Sequence, residues 1–280
     1  MDCFFDVVSS VLESERPMLA KETIKTYRFI LSKFEKRFPQ IICKEITPNV
    51  IIDFREYMIQ IGNEENTISK TLAGLKTLTN KVRGLGLILD DPFLGVHIKK
   101  VSGRRHFLSK EELKDLFSRF MLEHSLLSQP EADAMQAFLF SCYTGLRYLD
   151  LKTLKKEEII NGKIRKQMHK TGDYVYIPLV DQAISLLSIS SDPLSNYVLR
   201  VTENSYFNRK IRSASAKLGF MKYLHCHLAR HTFATICLTL GIPLEVVSKL
   251  LGHKNISTTL IYAKYVDSVL DNEMQKFKLL

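Results

Sequence analysis

Five short stretches of this chain carry side chains able to hold an oxyanion or move a proton. They are Thr144-Gly145-Leu146-Arg147, Lys170 within Lys170-Thr171-Gly172, His227-Leu228-Ala229-Arg230-His231-Thr232-Phe233, Leu251-Gly252-His253, and Ile261-Tyr262. A guanidinium offers a planar fork that grips phosphate or carboxylate by two bonds, and lysine or histidine can give or take a proton. A phenol, with a pKa near 10, is a weak nucleophile near neutrality until a base and nearby cations favour the phenolate. No single stretch decides the chemistry. A bare His-x-x-Arg is more often a helix cap or a salt-bridged pair than a catalytic element. His225-Cys226-His227 with His231 invites a zinc site. Adjacent residues splay apart on a helix, however, and no second Cys/His cluster stands at ligand spacing, so neither a metal nor a cofactor is expected.

The composition narrows the partner. The chain has 280 residues, with 40 Lys+Arg against 30 Asp+Glu and a net charge of +10. That balance points to an acidic partner, most often nucleic acid, because each neutralised phosphate releases a condensed counterion; a generic basic surface is the alternative. Hydrophobic residues make up 45% of the chain, enough to fill two cores and too many for a disordered or fibrous protein. No apolar run approaches the ~18 residues that span a bilayer, and Met1-Asp2-Cys3 lacks the basic start of a signal peptide. The five cysteines form no CxxC pair. A soluble, cytoplasmic protein with reduced thiols and no membrane partner is expected.

The elements that must position the five stretches divide at about residue 100. Residues 1–100 carry 15 Lys/Arg and 13 Asp/Glu, whereas residues 101–280 carry 25 and 17. The basic run Lys99-Lys100-Val101-Ser102-Gly103-Arg104-Arg105 lies at this divide and reads as a linker over 101–106 that can follow a phosphate backbone. Before it, apolar stripes predict about four helices: a short one around Phe4 to Leu12, one from Lys21 to Phe38 stopped by Pro39, one capped by Thr47-Pro48, and one opened by Asn66 and running to about Gly84. After it, Ser109-Lys110-Glu111-Glu112 forms a capping box for a helix to about Glu123, and Pro130 opens another that reaches Tyr143. Lys163 to His169 and Tyr174 to Pro178 are β-prone runs around a polar turn, hence a hairpin with Lys170 at its tip. The rest is helical, with a stripe of Phe233, Ile236, Cys237 and Leu240 closed by Gly241 and a further helix begun by Pro243. The fold class is therefore mainly α with a small β-hairpin.

Taken together and in order, the five stretches resemble the tyrosine recombinase family, the phage-integrase-like and Xer-like enzymes. The most specific match is His227-Leu228-Ala229-Arg230-His231-Thr232-Phe233-Ala234-Thr235 with Leu250-Leu251-Gly252-His253-Lys254-Asn255-Ile256-Ser257-Thr258-Thr259-Leu260-Ile261-Tyr262. The resemblance covers nearly the whole chain. It implies a SAM-like core DNA-binding bundle over 1–100 and a catalytic domain over 107–280. It also implies cleavage and rejoining of DNA strands without metal, in integration, excision or inversion. Tyr262 is then the nucleophile, giving a 3′-phosphotyrosyl link and a free 5′-hydroxyl, and Arg147 and Arg230 clamp the charge that builds on the phosphorane oxygens. His227 is the expected base, Lys170 the acid that protonates the leaving 5′-oxygen, and His253 a hydrogen-bond donor to the scissile phosphate. Asp150 is expected to support the active-site arginine and histidine from behind. Tyr265, three residues after Tyr262, is the alternative nucleophile, and spacing from His253 favours Tyr262.

The same resemblance implies a C-shaped clamp on double-stranded DNA at short inverted-repeat core sites, and a homotetramer on two such sites. Val266 to Phe277 carries a stripe of Val266, Val269, Leu270, Met274 and Phe277, which fits a C-terminal helix docked on a neighbour or packed on its own domain. Accessory DNA-bending proteins and association with the nucleoid accompany this reading. Two alternatives keep the DNA and change the outcome: a catalytically silent bridging protein, and a type IB topoisomerase that swivels one strand. Intact Arg147, Lys170, His227, Arg230, His253 and Tyr262 argue against the first, and the pair of domains against the second.

Overall fold

A computed structural model describes residues 2–99, 106–189 and 194–263. Two compact units are formed, Met1–Arg104 and Arg105–Leu280. Of the basic linker over 101–106 only His106 is described, and Tyr265 and the Val266 to Phe277 stripe lie outside the described residues.

The first unit is built from α1 (Phe4–Ser14), α2 (Lys21–Arg37), α3 (Pro48–Gln60) and α4 (Glu65–Gly84). Each buries the stripe that its three- and four-residue spacing lays on one face: Phe4, Val8 and Leu12 on α1, and Ile24, Ile30, Leu31 and Phe34 on α2. Phe34 is the hub, edge-on to Phe54 at 4.9 Å and to Phe4 at 5.9 Å between ring centroids. Two expected helix starts differ. Thr47 precedes α3 but its side chain makes no cap bond, and Pro48 at the first helical position sets the turn instead. α4 begins at Glu65, one residue before Asn66, because Glu64 already has the extended backbone of a cap and its carbonyl accepts from the Thr67 and Ile68 amides.

The second unit is organised around α6 (Gln129–Thr144), which follows α5 (Lys110–Glu123). Ala134 to Cys142 are buried without a break, so α6 is enclosed on all sides. Its start is fixed by Ser128, whose amide and hydroxyl both reach Glu131, at 2.9 and 2.7 Å. The short α7 (Tyr148–Lys152) leads to a three-stranded antiparallel sheet of β1 (Ile159–Ile160), β2 (Lys163–Gln167) and β3 (Tyr174–Pro178), in the order β1-β2-β3. The predicted hairpin is thus joined by a two-residue edge strand too short to show a periodicity in the sequence. In the register Ile164↔Ile177 and Lys166↔Val175, these four side chains face inward. Lys166 is the exception to the apolar rule, and its buried ammonium is matched by Glu158 at 2.9 Å and the Thr153 carbonyl at 2.9 Å. Then follow α8 (Asp181–Leu187), α9 (Asn204–Lys217), α10 (Cys226–Thr239), α11 (Leu244–Leu251) and α12 (Ser257–Ala263). Helices α8, α9 and α10 pack on α6, and α11 and α12 close against α10. None of the described helices is long and apolar enough to cross a membrane.

Candidate active site

Two helix ends make the floor of the site. α6 stops at Gly145, which takes a left-handed φ of 69°, and α11 stops at Gly252, with φ 59°. Both positions also lack room for a side chain. A Cβ on Gly145 would sit 2.6 Å from the Phe233 ring, and one on Gly252 would sit 2.9 Å from Val175. The close approach leaves the Gly145 and Leu251 carbonyls pointing at one place, each at the negative end of its helix.

The guanidiniums occupy that place. Arg230 Nη1 donates to the Gly145 carbonyl at 2.7 Å and Nη2 to the Leu251 carbonyl at 2.6 Å. Arg147 Nη1 reaches the same Leu251 oxygen at 3.4 Å. Arg230 is 3% exposed, and burial, reinforced by the charge of Arg147, lowers its pKa to about 9. Arg147 is lowered as well, by burial, and Asp150 and Tyr262 oppose the shift.

His253 joins this cluster as an acceptor. Its Nε2 lies 2.9 Å from Arg230 Nη2, which has only protons to offer, so Nδ1 carries the ring proton and donates to Thr259 Oγ1 at 2.7 Å. Burial, with Arg230, Arg147 and Lys170 adding positive charge, pushes its pKa down to about 4. The ring is therefore neutral at pH 7, and in this arrangement Nε2 receives a proton bond instead of offering one to a phosphate.

Tyr262 lies on α12, 3% exposed, among Phe233, Ala234, Cys237, Leu238, Val247 and Leu251. Its hydroxyl meets His231 Nδ1 at 2.9 Å. His227 is exposed on the first turn of α10, one turn before His231, with the two rings edge-on at 5.1 Å. Asp150 is fully buried on α7; its Oδ1 accepts the His169 amide at 2.8 Å, while Oδ2 is buried without a hydrogen bond. Asp150 thus anchors the approach to the hairpin turn and adds a negative field to both guanidiniums. Lys170 is exposed in that turn. The residues singled out in the sequence therefore come from α6–α7, the β2–β3 turn, α10, α11 and α12. Four contributors carry no role in the sequence reading: the Gly145 carbonyl, the Leu251 carbonyl, Thr259, and His231 as the partner of the phenol. Only His231 left a signal, its four-residue spacing from His227.

Residues 106–268 match the model of the phage integrase family, and residues 3–101 match the phage integrase SAM-like domain. The chain belongs to the phage integrase family. It is a tyrosine-type site-specific DNA recombinase. The tyrosine recombinase XerC of Bacillus pumilus (strain SAFR-032) is 32% identical over 233 residues, covering 75% of each chain. A tyrosine recombinase of Thermosipho africanus (strain TCF52B) is 26% identical over 95% of this chain and 96% of its own. In fold, this recombinase resembles a lambda integrase (75–356) dimer bound to a COC′ core site, with a TM-score of 0.76 and 19% identity over 92% of this chain and 93% of that one. A lambda integrase tetramer bound to a Holliday junction has the same identity and a TM-score of 0.74, over 92% and 76%.

Proposed function

We propose that this recombinase cleaves a DNA strand by attack of the Tyr262 phenol on a phosphodiester held between Arg147 and Arg230, leaving a 3′-phosphotyrosyl link and a free 5′-hydroxyl. The observation that carries the reading is the convergence of both guanidiniums on one oxygen, the Leu251 carbonyl. Two cationic forks aimed at a single oxygen are what a phosphorane oxygen needs, and backbone carbonyls hold them in place before DNA arrives. His253 is poised against the same guanidinium. When a phosphate takes over Arg230, His253 Nε2 loses its donor and the ring can turn its proton toward the phosphate. Lys170, on the turn anchored by Asp150, protonates the leaving 5′-oxygen, and His227, exposed on the first turn of α10, stands on the side open to the phosphate.

Strand exchange follows because the phosphotyrosyl bond keeps the energy of the broken one, so a second 5′-hydroxyl can reverse the step on a new partner. The partners are double-stranded DNA at short inverted repeats and, for four active sites on two duplexes, a homotetramer. A groove of about 630 Å³ supports the contact between copies. It is walled by Phe117, Tyr143, Phe233, Ile236, Leu240 and Leu250, an apolar lining of the kind that a hydrophobic helix of a neighbouring copy would fill.

The test is recovery of protein-linked DNA under denaturing conditions from cells carrying the native flanking DNA. Wild type should yield ends at one short inverted repeat and Tyr262→Phe none; ends that persist in the variant place the nucleophile elsewhere. Lys170→Ala should fail on ordinary DNA and cut a strand with sulfur in place of the 5′-bridging oxygen, since a thiolate leaves without a proton. Equal inactivity on both substrates removes Lys170 from the acid role.

A further inference from the structure

The phenol sits among apolar side chains, where an unpartnered hydroxyl is costly, and the group that meets it is the second histidine of the His-x-x-Arg-His run. We propose that His231 is a further catalytic residue, the first acceptor of the Tyr262 proton. This rests on Tyr262 being the nucleophile. Three observations support it. The Nδ1···Oη separation of 2.9 Å lies within the range in which a base takes a proton directly. His231 is 8% exposed, so its ring is held by its surroundings, with the tyrosine ring at 5.4 Å. His227, the histidine that the motif assigns as base, lies one helical turn away and is exposed, where it can meet the DNA phosphate.

The step balances within the protein. The Tyr262 O–H bond breaks and a proton joins His231 Nδ1 as Oη forms its bond to phosphorus. The bond from phosphorus to the 5′-oxygen breaks, and that oxygen takes a proton from Lys170. On rejoining, the incoming 5′-hydroxyl returns a proton to Lys170 and the departing phenolate takes back the one on His231. Each group thereby ends as it began.

Two variants separate holding the phenol from accepting its proton. His231→Ala removes both functions, whereas His231→Asn places an amide near the position of Nδ1 that can hydrogen-bond but cannot take a proton. Formation of the covalent complex would be followed in single turnover on a nicked core-site duplex, with either oxygen or sulfur at the 5′-bridging position. Both variants should be slowed at least ~100-fold on both substrates, with DNA affinity within about twofold of wild type. A His231→Asn rate within about threefold of wild type would reduce His231 to a positioning residue and overturn the proposal, as would a loss repaired by the sulfur substrate. If His231→Ala does not fold, the asparagine variant decides alone, its melting temperature and DNA affinity serving as the check on folding. Cleavage by Tyr262→Phe would instead remove the reading on which the proposal stands.

Discussion

The bundle of Met1–Arg104 and the unit that carries Tyr262 fill their interiors with different chemistry. Among the described residues, the bundle buries only Thr71 and Thr79 as polar side chains, around a core of Phe4, Phe34, Phe54 and aliphatic neighbours. The second unit buries Glu131, Asp150, Lys166, Arg230 and His231 as well as several hydroxyls. Most of its charges are matched: Glu131 by Lys217 and Ser213, Lys166 by Glu158, and Arg230 by two carbonyls, while Asp150 has the His169 amide on one oxygen and no hydrogen bond on the other. Ions are costly to remove from water and are kept inside only where each has a partner. The comparison teaches that stability in the bundle is a matter of filled volume, and in the second unit of completed polar contacts. A substitution should therefore act differently in each.

The largest effect is expected at Arg230. Arg230→Ala takes the donor from the Gly145 carbonyl and from His253, leaves the Leu251 carbonyl only its longer bond from Arg147, and removes one arm of the clamp; covalent-complex formation should fall by at least ~10³-fold in single turnover, far more than DNA affinity. A cleavage loss no greater than the binding loss would deny Arg230 any transition-state role. Next is the bundle: Leu75→Ala, at a fully buried position, should cost about 3 kcal/mol in chemical denaturation. Cleavage by the fraction that remains folded should be little changed, and a specific loss of chemistry would break the division of labour.

Glu131 sharpens the contrast through pH. Lys217, followed by Ser213 and Ser128, holds its carboxyl well below the usual carboxylate range, against the opposing effect of burial. A folded-state pKa below the unfolded one contributes stability that is fully present above the unfolded value of about 4.5 and is lost as pH falls below it. The second unit should therefore melt at lower temperature as pH drops from 6 to 3. Glu131→Gln should lose roughly 1–3 kcal/mol at pH 7 and flatten that dependence. Calorimetry of the full chain with and without the substitution reads both. The smallest effect belongs to the exposed Arg37–Asp53 pair of the bundle, 2.8 Å apart, where Arg37→Ala should cost less than about 1 kcal/mol.

Much of this architecture was legible before any coordinates. The stripe of Ile24, Ile30, Leu31 and Phe34 could only be one face of a helix, and the Ser109-Glu112 capping box stands as its letters say, with the Glu112 amide on Ser109 Oγ at 3.1 Å. Local chemistry with a local partner is written in the chain. The two-residue β1, the cap at Ser128 and the inward-facing Lys166 were not foreseen, the first because two residues show no period, the last because its partners sit on the preceding segment.

The candidate site divides along the same line. The sequence by itself determined the family, and with it the candidates Arg147, Lys170, His227, Arg230, His253 and Tyr262, which stand at spacings that match that family. Only the tertiary structure decided that the Gly145 and Leu251 carbonyls hold the guanidiniums, that His253 accepts a bond from Arg230, and that His231 meets the phenol. These are contacts between groups 21 to 104 residues apart. Backbone carbonyls are the same at every position in a sequence, so which of them faces a charge is settled only when the helices that carry them have packed.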